Sequence, residues 1–364
     1  MTRPPMSDLP HDKSVKNPND DSQMPQIYPD QANPIEVIDM HTGGEPLRIV
    51  TSGYPDIPGK DILAKRRYAK TNLDHLRRFL MFEPRGHYDM YGAVLVEPSL
   101  AGADLAVLFI HNEGYSTMCG HAILALGRYA IDYGLVPAIE PITQVNIECP
   151  CGMVRAEVEV KDGKTGKVRF ASVPSFMFAA DLELQLTDGH RFKTDIGYGG
   201  AYYAILDARQ FGLEITPNNV GKLTALAEDI CAAVNACTPL SHPDHNHLAF
   251  LYGAILTDGK DAYEDNPTRN ICAFAKNQVD RSPTGSGVSA RLAIQHAKGL
   301  IAPNQTRQFD SIIGSSFEGS VASTTTCGPH QAIIASVKGQ AHYSGTARFW
   351  HEGGDEVGRG FIVG

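Results

Sequence analysis

Two apolar helices entered through matched turns constrain this chain more than any other feature. The first entry, Asn112-Glu113-Gly114-Tyr115-Ser116-Thr117-Met118-Cys119-Gly120-His121, leads into the apolar run 122–131. The second, Asp280-Arg281-Ser282-Pro283-Thr284-Gly285-Ser286-Gly287, leads into the run 288–294. With Cys119 laid on Thr284, an offset of 165 residues, Gly120 falls on Gly285, Ala125 on Ala290, Gly134 on Gly299 and Leu135 on Leu300 without a gap. Helix-forming runs resemble one another cheaply, but glycines matched at both entry and exit point to a duplicated unit. Both runs are apolar on most faces, and a helix of that kind is buried on all sides.

The rest of the chain supplies the sheet to bury them. Residues 35–40 alternate as a strand and run into a Gly43-Gly44 turn; 93–96 and 105–110 read as buried strands leading to the first helix entry. After it come strands at 145–148, 154–160, 168–173, 192–195 and 201–206, and further strands at 250–256 and 270–275 precede the second entry. Past Gly299 the strand-like segments are 320–325, 332–337, 339–344 and 361–363. One charged helix is expected over 62–82. Another is expected over 218–236, with Val220, Leu223, Leu226, Ile230 and Val234 as its stripe. Strands outnumber helices and many are joined by short turns, which favours an α+β fold over a doubly wound parallel sheet. The expected architecture is two similar domains, 34–190 and 191–364, each a barrel-like β-sheet around a central α-helix. The last strands are free to return to the first domain, and the two helix N-termini meet at the interdomain cleft. Residues 1–33, rich in Pro, Asp, Asn, Ser and Gln, bury too little to offset their ordering entropy and are expected to be mobile.

Composition removes several function classes. A net charge of −9 over 364 residues offers no basic stripe for phosphates, so nucleic acid is not an expected partner. No run reaches 18 apolar residues, which argues against a membrane span, and the N-terminus has no apolar secretory segment. Seven cysteines, an odd and scattered set, do not resemble a disulfide framework and suggest a reducing, cytoplasmic setting. Cys149-Pro150-Cys151 has no second pair at metal spacing and reads as a strand-to-turn junction. His242, His245 and His247 have metal-like spacing in a loop without a supporting acidic or cysteine pattern, so no metal is expected.

The helix entries carry the chemistry. The first N–H groups of a helix lack intrahelical partners and sit at the positive end of its dipole. Glycines let a carboxylate approach them closely. The same position is expected to lower the pKa of a cysteine. Two such ends facing each other would hold a small carboxylate between the Cys119 thiol and the Thr284 hydroxyl, although Thr284 can also serve as a simple N-cap.

These motifs resemble the proline racemase family. The resemblance runs from about Ile35 onward and shows in 39–46 (Asp-Met-His-Thr-Gly-Gly-Glu-Pro), 86–92 (Gly-His-Tyr-Asp-Met-Tyr-Gly), Met118-Cys119-Gly120-His121, 198–202 (Tyr-Gly-Gly-Ala-Tyr) and 280–287. It implies two domains of the diaminopimelate-epimerase-like type, usually in a homodimer. The implied chemistry is cofactor-independent and acts at the α-carbon of a proline ring. It further implies that the substrate is a small imino acid and that Gly120, His121, Gly285 and Ser286 offer N–H groups to its carboxylate. Asp280 would pair with its ring nitrogen. His41 and Glu45 flank the glycine turn and could reach the cleft, but the sequence gives them no separate role.

Racemases and epimerases of the family carry a second cysteine where Thr284 stands; threonine there resembles the trans-3-hydroxy-L-proline dehydratase branch. Racemisation needs a base on one face of the α-carbon and a proton donor on the other, and a threonine hydroxyl is far too weak an acid for the second task. Elimination needs one base only. In trans-3-hydroxy-L-proline the α-hydrogen and the 3-hydroxyl share a face, so Cys119 could drive a syn elimination to an enamine that tautomerises to Δ1-pyrroline-2-carboxylate. The expected function is therefore a hydro-lyase. A proline racemase or 4-hydroxyproline 2-epimerase is the alternative, and a non-catalytic imino-acid binder is the third.

Overall fold

The computed structural model describes residues 26–244, 248–275 and 277–363. The first half opens with a hairpin, β1 (Ile35–Thr42) and β2 (Glu45–Ser52). Helices α1 (Ile62–Asn72) and α2 (Asp74–Met81) then cross to β3 (Tyr91–Val96), which runs parallel to β2. Strand β4 (Leu105–His111) and the short β5 (Gly114–Ser116) lead to α3 (Gly120–Asp132). That helix crosses to β6 (Ile142–Cys149), parallel to β4, and β7 (Gly152–Lys161) and β8 (Lys164–Ala171) continue antiparallel.

The second half repeats the plan. A hairpin of β9 (Ser175–Gln185) and β10 (Arg191–Tyr198) is followed by β11 (Tyr202–Asp207). Helix α4 (Val220–Cys237) then crosses to β12 (Leu251–Thr257), parallel to β11. Strand β13 (Thr268–Phe274) and the short β14 (Gln278–Asp280) lead to α5 (Gly285–Ala297). Strand β15 (Thr306–Asp310), parallel to β13, is followed by β16 (Ser316–Cys327) and β17 (His330–Gly339). The matching order of hairpin, crossover, short strand, central helix and meander is the duplication the two helix entries announced.

The pairings make two rings in one continuous sheet of 18 strands. The second closes on itself in the order β9, β10, β11, β12, β13, β15, β16, β17 and back to β9. The first runs β1, β2, β3, β4, β6, β7, β8 to the other end of β17. The last strand, β18 (Ala341–Phe349), returns to pair antiparallel with β1. Strand β17 is thus shared: Ser336–Gly339 face β8 and Ala332–Ile333 face β9. The boundary expected at 190 lies at the foot of β10, inside the second ring, and the covalent passage between rings runs through 172–174.

Both central helices are buried as their apolar character requires. Eleven residues of α3 and eleven of α5 are buried, and α3 packs against the inner faces of β1, β7 and β8, α5 against those of β9, β10 and β17. Every residue of β4 is buried, because one face meets α3 and the other meets the outer helices. Three expectations change. The segment 62–82 is two helices, because Leu73 leaves helical geometry between Asn72, whose side chain bonds back to the Tyr68 carbonyl, and Asp74. Residues 361–363 form no named strand, only a single bridge from Phe361 to Glu83. Of the segment 1–33, residues 1–25 lie outside the described residues, while the Tyr28 ring packs on His75, Phe79 and His351.

Candidate active site

The N-termini of α3 and α5 meet head to head. A Cβ placed on Gly120 would lie 2.8 Å from the Gly285 Cα, and one placed on Gly285 would lie 2.9 Å from the Gly120 Cα. Only hydrogen at both positions permits this approach. The residues just before them, Cys119 and Thr284, face one cavity. All seven residues named from the sequence line it: Cys119, Gly120, His121, Asp280, Thr284, Gly285 and Ser286. The free space inside is about 30 Å³, and a larger recess of about 420 Å³ shares Met118, Tyr203 and Tyr252 with it.

Thr284 is held in an unusual conformation. Its φ is 68° and its ψ 99°, outside the ordinary range of a β-branched residue. Ser282 Oγ accepts the Thr284 N–H at 3.1 Å. The threonine makes no side-chain capping bond to α5, contrary to the simple N-cap expectation. The twisted backbone turns its hydroxyl away from the helix N–H groups, leaving Oγ1 buried without a hydrogen-bond partner of its own.

Cys119 sits beside the His121 ring, with Sγ 3.2 Å from Nδ1. Nε2 of the same ring lies 3.3 Å from the Pro46 carbonyl oxygen, which can only accept, so the proton of the neutral ring belongs on Nε2. Nδ1 then presents a lone pair to the thiol. The expected lowering of the Cys119 pKa is not what the site produces. Burial pushes the thiol well above its ordinary range and outweighs the Ala122 N–H and the Tyr91 hydroxyl, which favour the thiolate; Asp280 and Glu45 add to the rise. Burial likewise lowers the His121 pKa, against the opposing pull of Asp280 and the Pro46 carbonyl.

Sequence reasoning missed the other half of the wall. Glu45, Tyr91, Tyr203, Tyr252 and Phe274 line the cavity from strands and turns distant in sequence, and Met118 joins them from the position before Cys119. Tyr203 Oη and Ser286 Oγ are 2.7 Å apart, and the Tyr91 hydroxyl meets Ser116 Oγ. Glu45 is fully buried; its Oε2 accepts the Arg281 N–H at 2.8 Å. Burial, followed by the charge of Asp280, holds its carboxyl well above the usual range. Glu45 begins β2 directly after the glycine turn; the sequence placed it within reach of the cleft but gave it no role, because an acid at such a position is ordinarily exposed. His41 stacks on His342 and is not part of the lining. Asp280 Oδ1 accepts the Ser282 N–H at 2.8 Å, and Arg281 pairs with Asp89 rather than with Asp280.

The remaining sequence candidates lie elsewhere. Cys149 and Cys151 flank the tight turn between β6 and β7 and are free thiols. His242 is buried against the rings of Tyr198 and Phe176, while His245 and His247 lie outside the described residues.

The comparisons agree with this geometry. The proline racemase family model matches residues 37–362. A trans-3-hydroxy-L-proline dehydratase from Homo sapiens is 54% identical over 347 residues, covering 93% of this chain and 98% of the relative. One from Burkholderia cenocepacia is 41% identical over 329 residues, covering 90% and 98%. Among solved structures, a hydroxyproline epimerase from Agrobacterium vitis with bound trans-4-hydroxy-L-proline superposes with a TM-score of 0.83 at 28% identity, covering 92% of this chain and 97% of the other. On the match of the family model and the identity of these relatives along almost their whole length, the chain belongs to the proline racemase family.

Proposed function

We propose that this protein is a hydro-lyase that dehydrates trans-3-hydroxy-L-proline to Δ1-pyrroline-2-carboxylate. The observation that carries the proposal is the unequal pair at the two helix ends, a thiol at 119 and an alcohol at 284 on one cavity. Relatives named as dehydratases of this substrate support it from an independent direction.

In this reading the substrate carboxylate occupies the meeting point of α3 and α5, where the N–H groups of Gly120, His121, Gly285 and Ser286 converge. Asp280 pairs with the ring nitrogen, held as an ammonium, which acidifies the α-hydrogen. The same positive charge offsets the Asp280 carboxylate, which adds to the rise of the Cys119 pKa. The thiol proton passes to His121 Nδ1, and the thiolate removes the α-proton. The electron pair left at the α-carbon expels the 3-hydroxyl from the same face. Thr284 offers its unpartnered hydroxyl as a hydrogen-bond donor without exchanging a proton. The chemistry so described draws on the chain's own side chains and backbone N–H groups. A cytoplasmic setting and a homodimer belong to the same proposal; all seven cysteines are free thiols, as a reducing compartment keeps them.

Incubation with trans-3-hydroxy-L-proline, L-proline and trans-4-hydroxy-L-proline tests the function. A cyclic imine from the first alone is expected. Inversion of either of the others at a comparable rate would instead favour the racemase or epimerase reading, and no turnover of any would favour a binder.

A further inference from the structure

Hydroxide is a poor leaving group, so the elimination needs an acid at the 3-hydroxyl as well as a base at the α-carbon. Most polar groups on the cavity wall are already committed. The Tyr91 hydroxyl meets Ser116, the Tyr203 hydroxyl meets Ser286, and the His121 ring spans Cys119 and the Pro46 carbonyl. Thr284 is an alcohol, too weak an acid for the task. Glu45 differs from all of these. It has no exposed surface, one carboxyl oxygen is anchored on the Arg281 N–H, and the other, Oε1, has no hydrogen-bond partner while the residue lines the cavity.

An unpartnered carboxyl oxygen in a closed site is costly unless something else fills the gap. We propose that Glu45 is the general acid of the reaction, donating the proton on Oε1 to the 3-hydroxyl as it departs. The inference rests on the dehydratase reading and extends it. Burial and the neighbouring Asp280 charge favour the protonated carboxyl that the role requires. The placement is consistent too, because Glu45 begins β2 in the ring that carries Cys119 and lines the same cavity as that thiol.

The step balances. The α-C–H bond breaks and its proton goes to the Cys119 sulfur; its electron pair becomes the C2–C3 double bond. The C3–O bond breaks, and the oxygen leaves as water with the Glu45 proton. Tautomerisation of the enamine takes up one proton at C3 and releases one from nitrogen. Return of a proton from the Cys119–His121 pair to the Glu45 carboxylate resets the site, and no oxidant or reductant is needed.

The test compares leaving groups. Glu45→Gln keeps the size and the anchor on Arg281 but has no proton to give. Its kcat on trans-3-hydroxy-L-proline should fall about 10²–10⁴-fold. Fluoride release from trans-3-fluoro-L-proline, which needs no strong acid, should stay within a few-fold of wild type. Glu45→Asp should recover part of the lost dehydration. Dehydration by Glu45→Gln at the wild-type rate would overturn the proposal, leaving Cys119 to return its own proton to the oxygen. Equal loss on both substrates would also overturn it, since Glu45 would then serve the thiol or the fold. Failure of the wild-type enzyme on trans-3-hydroxy-L-proline would remove the dehydratase reading and this role with it, an outcome visible before any variant is made.

Discussion

At the scale of single residues, the proposed mechanism makes Cys119 a base in a place that resists its charge. Burial raises its pKa, and the Asp280 charge raises it further. A base acts deprotonated, so kcat/KM should increase as pH rises from neutral through the thiol titration, with its limb above the ordinary thiol range of about 8.5. Removing a negative neighbour should move that limb to lower pH. In Asp280→Asn, the pH dependence of Cys119 alkylation by iodoacetamide, followed on the Cys119 peptide by mass spectrometry, should shift downward; an upward or absent shift would mean that Asp280 does not act on the thiol. Cys119→Ser should lose dehydration by about 10²–10⁴-fold or more, measured as pyrroline-2-carboxylate formed. Thr284→Cys supplies the missing second acid and should introduce inversion of trans-4-hydroxy-L-proline, detected by polarimetry. The residues legible in the sequence were those inside the repeated entries, where glycine spacing and a helix start fix both location and chemistry. Glu45, Tyr91, Tyr203 and Tyr252 were not legible, because each reaches the cavity from a strand or turn whose neighbours in space are far away in the chain.

At the scale of elements, the two helices were readable because a run apolar on most faces has one stable place, the inside of a closed sheet. The strands were read where apolar runs were long. Strand β9 went unread although its outer half alternates in the strand period; Asp181, at φ 50°, breaks its register with β10. Strands β5 and β14 are only three residues long, too short for any period to show. Contact between the helix ends depends on glycine at both tips, with the Phe170 ring 3.2 Å from where a Cβ would sit on either. Neither backbone can yield without separating the ends. Gly285→Ala should therefore destabilise the fold by about 1–3 kcal/mol, the usual range for overpacking. Its activity should fall more than stability alone explains, because the proposed carboxylate site lies at that junction. Denaturant midpoints alongside kcat/KM check both effects; a variant with wild-type turnover would show that the tips need not touch.

At the scale of the whole molecule, the two rings are joined through β17, the passage at 172–174 and the pairing of β18 with β1, and the cavity lies between their central helices. Further bonds hold the rings together at its rim: Arg281 reaches Asp89, and Ser315 Oγ donates to the Gly43 carbonyl at 2.6 Å. The free volume of about 30 Å³ is small beside a five-membered ring with a carboxylate. Substrate must therefore enter a more open arrangement, and the neighbouring recess bordered by Met118, Tyr203 and Tyr252 is the natural approach. Interlocked barrels resist deformation, so opening should part the helix tips while the interior of each ring stays closed. Ligand binding should then pull the equilibrium back toward the closed form by its preference for that form. Hydrogen exchange on the non-reacting Cys119→Ser enzyme reads this directly. Saturating trans-3-hydroxy-L-proline should protect the amides at 120–123 and 285–288 while leaving β4, β7, β13 and β16 unchanged. Protection spread evenly over both rings would point to global stabilisation instead. Its absence at the helix tips would place the ligand somewhere other than between them.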